Sequence, residues 1–106
     1  MKKTDDLALS VGRLELNILS IVQSLDDEAY GTKVWEKLEQ IENRSYSSGT
    51  VYTTIYRLVK KGLLKFSVGK PEPKKGGKAR KYYHLTEKGK AAFTEYVERY
   101  MHLAMA

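Results

Sequence analysis

The run Ser47-Ser48-Gly49-Thr50-Val51-Tyr52-Thr53-Thr54-Ile55-Tyr56-Arg57-Leu58-Val59-Lys60-Lys61-Gly62 decides how this chain folds. Val51, Ile55 and Leu58 recur at i, i+4 and i+7, the spacing that lines apolar side chains along one face of an α-helix. Ser47 or Ser48 stands where a hydroxyl caps the free amides of a helix start, and Gly62 stands where a helix stops in the left-handed conformation. With the stripe turned inward at about 100° per residue, Gly49, Thr53, Tyr56, Arg57 and Lys60 point outward, and Thr50 and Tyr52 fall on the flanks. That outward set suits a major groove. Gly49 permits close approach, Thr53 offers a hydroxyl and a methyl to base edges, and Arg57 can fork onto guanine or phosphate. Ser47, Ser48 and the free amides behind them suit a phosphate. An ordinary solvated helix shows a similar face, so this helix alone leaves both readings open.

Beyond Gly62 the pattern changes period. Leu64, Phe66 and Val68 alternate within residues 63–68, as in a half-buried strand. Residues 69–79 hold both prolines and Gly76-Gly77 and read as a loop, and residues 80–85 read as the returning strand. Lys70, Lys74, Lys75, Lys78, Arg80 and Lys81 crowd this hairpin, where little apolar surface exists for them to cover. Twelve of the chain's nineteen lysines and arginines lie between Arg57 and Lys90, against only Glu72 and Glu87. A charge run is commonly just a solvated face, but here it adjoins a candidate groove helix. The hairpin is therefore read as a wing that contacts phosphates and the minor groove. Helix, strand, basic loop, strand is the layout of a winged DNA-binding domain.

Thr86 is placed to cap a last helix whose apolar positions include Ala92, Phe93, Tyr96, Val97, Tyr100 and Met101. That face is wider than a small winged core requires. Phe93, Tyr96, Val97, Tyr100 and Met101 are read as a dimerisation surface, with folding back onto the first helix as the alternative. Two such heads about 34–36 Å apart would reach successive major grooves.

Toward the N-terminus, residues 30–42 read as a helix with Val34, Leu38 and Ile41 facing the core and Trp35 beside them. Residues 43–48 form the turn. An earlier helix carries Leu14, Ile18, Ile21, Val22 and Leu25, with Val11 one turn before and Leu16 and Leu19 widening the stripe, so it needs more than one neighbour. Asp26-Asp27-Glu28 lie where the positive end of the next helix's dipole would welcome them. The fold class is α+β, mainly α: a winged helix-turn-helix of three helices and a two-stranded wing, followed by a C-terminal dimerisation helix. Residues 1–86 are assigned to the DNA-binding domain and residues 87–106 to the dimerisation helix.

At 106 residues the chain makes one domain with one modest core. Its charge of +6 is uneven: residues 1–42 carry a net −4 and residues 43–106 a net +10. The basic half points to a polyanion. A membrane surface fits less well, because the basic stretch is a loop and not one amphipathic helix, and no apolar run approaches the roughly 18 residues of a span. Met1-Lys2-Lys3-Thr4-Asp5-Asp6 has no apolar segment behind its lysines, so no secretory signal is read and a cytoplasmic location is expected. There is no cysteine for disulfides or thiolate chemistry. His84 and His102 have no metal-ligand partner at suitable spacing, and Gly76-Gly77-Lys78 lacks the phosphate-loop frame because position 72 is glutamate. Asp26-Asp27-Glu28 reads as a helix-start cluster sooner than a cation site. No metal, cofactor or catalytic group is expected, and the chain is not read as an enzyme.

Several segments carry a resemblance. Tyr30-Gly31 opens the second helix, Ser47-Ser48-Gly49-Thr50-Val51-Tyr52 opens the third, and Arg57-Leu58-Val59-Lys60-Lys61-Gly62-Leu63-Leu64 closes it. Gly76-Gly77-Lys78-Ala79-Arg80-Lys81-Tyr82-Tyr83 and Leu85-Thr86-Glu87-Lys88-Gly89 cover the wing and the start of the last helix. Together, over about Leu14 to Ala92, the chain resembles the PadR family of bacterial transcriptional regulators. The chain departs where the family often has proline, after the capping serine and after the tyrosine, since it carries Ser48 and Thr53. Thr53 adds a hydrogen-bonding group there, so sequence preference is expected to differ. The resemblance implies a dimeric, usually repressing, winged helix-turn-helix protein that binds a two-fold operator. In several members a small aromatic or lipophilic compound releases the operator, and an aromatic-lined space between subunits, using Trp35, Phe93, Tyr96 or Tyr100, is the effector site read here. The DNA-binding set is Ser47, Ser48, Gly49, Thr50, Tyr52, Thr53, Tyr56, Arg57, Lys60, Lys74, Lys75, Lys78 and Arg80, with double-stranded DNA as partner. The competing readings are a winged-helix protein-interaction module, whose basic loop meets an acidic protein, and a nonspecific architectural protein.

Overall fold

The structure is a computed structural model that describes residues 12–69 and 79–105. Val11, Lys70, Lys74, Lys75 and Lys78 lie outside the described residues. Helix α1 spans Arg13–Leu25 and buries Leu16, Ile18, Leu19, Ile21 and Val22. Its apolar residues reach round more than one side, and it has the neighbours this demands, touching every later helix and the sheet. Glu15 folds back to accept the Gly12 N–H at 2.9 Å and so closes the first turn.

Asp26, Asp27 and Glu28 do not sit in the first turn of the next helix. They form a 3₁₀ turn of their own, and helix α2, Gly31–Glu42, has no acid in its first turn. The dipole expectation fails because the chain must first run extended. Tyr30 makes a single antiparallel bridge with Tyr82, and Tyr83 donates its N–H to the Ala29 carbonyl at 2.8 Å. Asp27 turns instead toward His84, with Oδ1 3.3 Å from Nε2.

In α2, Val34 and Leu38 are buried, but Ile41 is 67% exposed and not in the core. At that last turn the side chain meeting α1 is Glu42, which accepts a hydrogen bond from Asn17 at 2.8 Å. Ile41, one residue earlier, is rotated about 100° away from that contact. Helix α3 runs Ser48–Lys60 with Val51, Thr54, Ile55 and Leu58 buried. Ser47 is its N-cap, accepting the Thr50 N–H at 3.1 Å, and Thr54 donates to the Thr50 carbonyl at 2.6 Å. Gly62, at φ 77°, supplies the left-handed residue that ends it, after which Leu63 N–H closes onto the Leu58 carbonyl.

Strands β1, Leu64–Val68, and β2, Lys81–Leu85, pair antiparallel with Leu64 opposite Leu85 and Phe66 opposite Tyr83. Leu64, Tyr83 and Leu85 are buried, whereas Phe66 (45%) and Val68 (61%) are exposed. The expected half-buried alternation therefore holds for one residue of β1 only. Alternation selects a side of the sheet, but this hairpin runs past the end of the three-helix core, and among the described residues Phe66 meets there only the Tyr83 ring and the Lys81 side chain.

Helix α4, Glu87–Met105, is stitched to the end of α3. Thr86 accepts the Gly89 N–H, donates its hydroxyl to the Gly62 carbonyl at 2.5 Å, and gives its own N–H to the Leu63 carbonyl at 3.1 Å. Gly89 is required here, because a side chain would collide with the Leu63 carbonyl. Ala92 is buried, and Phe93 and Tyr96 pack at the edge of the core. The fold is a winged helix-turn-helix with a long C-terminal helix, α1–α2–α3–β1–β2–α4, extended by the Tyr30 bridge at the sheet's edge.

Candidate nucleic-acid interface

The turn between α2 and α3 sets where α3 points, and half-buried polar groups hold it. Trp35 Nε1–H donates to the Tyr46 carbonyl at 2.9 Å and to Glu39 Oε2 at 3.2 Å. The same Glu39 oxygen accepts the Tyr46 N–H at 2.7 Å. The Tyr46 hydroxyl donates to Glu42 Oε1 at 2.6 Å, while Arg44 lies 4.7 Å over the Tyr46 ring. The Tyr46 hydrogen bond holds the Glu42 carboxyl below the usual carboxylate range, helped by Asn17 and Arg44 and opposed by burial. The same bond pushes the Tyr46 phenol above its ordinary value. The backbone, ring and hydroxyl of Tyr46 are thus fixed by four other residues, Trp35, Glu39, Arg44 and Glu42, which gives the turn one geometry.

The far end of α3 is fixed as firmly. Lys61 Nζ reaches both oxygens of Glu15 at 2.9 Å, and the Glu15 side chain is only 11% exposed. Lys88 Nζ donates to the Lys61 carbonyl at 3.2 Å. Sequence reasoning missed Glu15, whose partner lies 46 positions away; its place three residues after Gly12, before an apolar run, was the available signal.

Between these ends α3 presents an open face. Ser47, Ser48, Gly49, Thr50, Thr53, Tyr56, Arg57 and Lys60 are exposed, with Tyr56 at 61% and Lys60 Nζ 5.7 Å over its ring. Ser47 Oγ and Thr50 Oγ1 are 2.9 Å apart at the helix start. Tyr52 lies differently. Its ring rests on the backbone of Gly31, where a methyl would overlap it, so the flank of α3 is keyed into the first turn of α2.

Beside that contact lies a cleft of about 560 Å³ lined by Tyr30, Gly31, Thr32, Tyr52, Ala79, Arg80, Lys81 and Tyr83. Arg80 stacks 4.1 Å over the Tyr30 ring, and Tyr82 meets the same ring edge-on at 5.9 Å. The structure thus brings the base of the wing, through Arg80, next to Tyr52 of α3. Tyr30, Gly31, Thr32 and Tyr83 were absent from the set read from sequence. Tyr30-Gly31 was quoted for its resemblance alone, and no spacing rule links residues 30 and 83.

Trp35 is occupied by the turn, while Phe93 and Tyr96 pack against the core from α4. Val97 is 38% exposed, and Tyr100 and Met101 belong to α4 with side chains outside the described residues. Among the described residues no group of three or more acids and histidines could hold a metal, and no helix is long and apolar enough to cross a membrane.

The Transcriptional regulator PadR-like family matches the chain over residues 18–95. An uncharacterized protein of Lysinibacillus sphaericus is 32% identical over 91 residues, spanning 84% of this chain and 79% of that relative. Among solved structures, a PadR-like transcription factor from Bacteroides fragilis superposes with a TM-score of 0.74 at 27% identity, covering 92% of this chain and 88% of the other. A PadR-like transcriptional regulator from Bacillus cereus gives a TM-score of 0.71 at 28% identity, covering 87% and 84%.

Proposed function

The chain belongs to the PadR-like family of transcriptional regulators, and from that premise we propose that it is a dimeric repressor that binds a two-fold DNA operator. The observation that carries this reading is the open face of α3. Thr53, Tyr56, Arg57 and Lys60 stand exposed on a helix whose two ends are locked, and the base of a cationic hairpin adjoins it. In this reading α3 enters the major groove, with Arg57 and Thr53 reading base edges and Ser47, Ser48, Gly49, Thr50 and Tyr52 holding the phosphates at its start. Lys74, Lys75, Lys78 and Arg80 supply charge along the backbone, which sets affinity and register more than sequence choice. Residues 1–86 form the DNA-binding domain. Residues 87–106 join two copies through Phe93, Tyr96, Val97, Tyr100 and Met101. A small aromatic or lipophilic effector would act on that junction, among Trp35, Phe93, Tyr96 and Tyr100.

The test is a salt titration of binding to an operator selected from a random duplex pool. A dimer neutralising about four phosphates per head loses affinity with a log–log slope near −7. Replacing Lys74, Lys75 and Lys78 with alanine flattens that slope by about three per head and leaves sequence preference intact. Thr53→Ala or Tyr56→Ala changes which operator is selected. A wild-type protein that binds random duplex as tightly as any selected site would reject the repressor reading.

A further inference from the structure

Among the described residues the first turn of α2 offers its leading amides no side-chain acceptor. Its N-cap, Tyr30, makes no side-chain capping bond, no acid lies in the first turn, and the first amide with a helical partner is that of Val34. The Gly31 and Thr32 amides therefore have no acceptor among the described residues, and both residues line the cleft beside Tyr52. A second, independent feature points into the same space. Tyr83 is 8% exposed and lines the cleft, yet its hydroxyl has no hydrogen-bond partner among the described residues. Among the described residues no fully enclosed polar side-chain atom is left unpaired, so that hydroxyl keeps some solvent exposure, and the cleft is the open volume that Tyr83 lines. Burial raises the Tyr83 phenol above its ordinary value, with the Tyr52 phenol adding to the effect, so it stays protonated and ready to donate. Arg80 and Lys81 bring positive charge to the rim, and Arg80 is steadied by the Tyr30 ring.

Donors, cations and a positive helix end in one place define an oxyanion seat. Its volume of about 560 Å³ is roughly twenty times the ~30 Å³ share of one water, far more than a bare phosphate fills. The tyrosine rings supply apolar wall for the remainder. We propose that this cleft holds one phosphodiester of the operator backbone in each half-site: its oxygens accept from the Gly31 and Thr32 amides and the Tyr83 hydroxyl, and the neighbouring deoxyribose lies against the Tyr52 ring. This rests on the DNA-binding reading above and adds a contact at the root of the wing, from α2 and β2, apart from α3's groove face. Gly31 is the element that makes it possible, since any larger residue would push the Tyr52 ring out of the cleft wall.

The experiment is a methylphosphonate scan of the selected operator, removing one backbone charge at a time, against the wild-type chain and Tyr83→Phe. Tyr83→Phe should bind the unmodified operator roughly a hundredfold more weakly, about tenfold for the one hydrogen bond to a charged acceptor lost in each half-site. In the wild type, one phosphate per half-site should show a loss to which Tyr83→Phe is partly blind, since only the Gly31 and Thr32 amides still donate to it. Full affinity in Tyr83→Phe, or an unchanged scan profile, would overturn the seat while leaving the repressor reading standing. A wild type that selects no operator sinks both. Should Tyr83→Phe fail to fold by circular dichroism, Arg80→Gln takes its place with the same expected blindness to one phosphate. Inorganic phosphate titrated into the free protein, followed through the Gly31 and Thr32 amide resonances, separates the two sources of the anion. Only weak, unsaturated shifts at millimolar phosphate are expected, and saturation below that would overturn the duplex assignment in favour of a free-anion site.

Discussion

Tyr46 and Tyr83 are both tyrosines with phenols pushed above their ordinary value, and the leading causes differ. At Tyr46 the hydroxyl is given to the Glu42 carboxylate at 2.6 Å, inside a turn where Trp35, Glu39 and Glu42 hold one another. At Tyr83 burial is the leading cause, with Tyr52 adding to it, and among the described residues the hydroxyl of this cleft-lining side chain has no partner. The first arrangement uses polar groups to fix the molecule. The second leaves them available. A polar group with its partner already in place belongs to the fold, whereas one kept dry and unpaired at a cleft belongs to whatever arrives there.

Removing the support of the first region should have the largest effect. Trp35→Ala takes out both the half-buried ring and the bond to the Tyr46 carbonyl, and should lower stability by about 3 kcal/mol in denaturant unfolding. Tyr46→Phe is the sharper probe and should cost about 1 kcal/mol, the net worth of a half-exposed bond to a charged acceptor. Its pH dependence follows from the two shifts. Glu42 is lowered, so the stability it contributes is present above the usual carboxylate range and is lost as pH falls through its folded value. Tyr46 is raised, so its contribution is present below the ordinary phenol range and is lost as pH climbs through its folded value. Tyr46→Phe should abolish the alkaline edge and shrink the acid one, because Asn17 and Arg44 still lower Glu42, and melting temperature against pH for the two chains would reveal both changes. The smallest effect should belong to Tyr83→Phe, which loses no intramolecular hydrogen bond and should change stability by less than about 0.5 kcal/mol. If Tyr83→Phe destabilised the protein as much as Tyr46→Phe, the contrast between the two regions would be gone.

Much of the frame was legible locally. Val51, Ile55 and Leu58 are buried at the spacing that placed them inward, Ser47 caps their helix, and Gly62 ends it at φ 77°. Each of these rests on contacts a few residues long, where spacing and side-chain type suffice. The misplacements have different causes. Phe66 and Val68 lie on the apolar side of β1 but out along the hairpin beyond the three-helix core, and Ile41 is turned about 100° from the side of α2 that meets α1. Asp26-Asp27-Glu28 missed the first turn of α2 because Ala29 and Tyr30 pair with the wing, some fifty residues later. On the candidate interface, the exposed residues of α3 followed from the helix period, while Tyr30, Gly31, Thr32 and Tyr83 had no signal that joined them.

By itself the order of residues determined the helix and strand periods, the caps and stops, and the concentration of positive charge in residues 57–90. Those properties depend on backbone geometry and on covalent neighbours. Only the tertiary structure decided which apolar faces found cover and that Glu15 would meet Lys61. It also decided that a glycine at position 31, a tyrosine at 52 and a tyrosine at 83 would frame one cleft. Periodicity fixes the direction in which a side chain leaves its own element, but the distance to a partner on another element is set only when the elements pack.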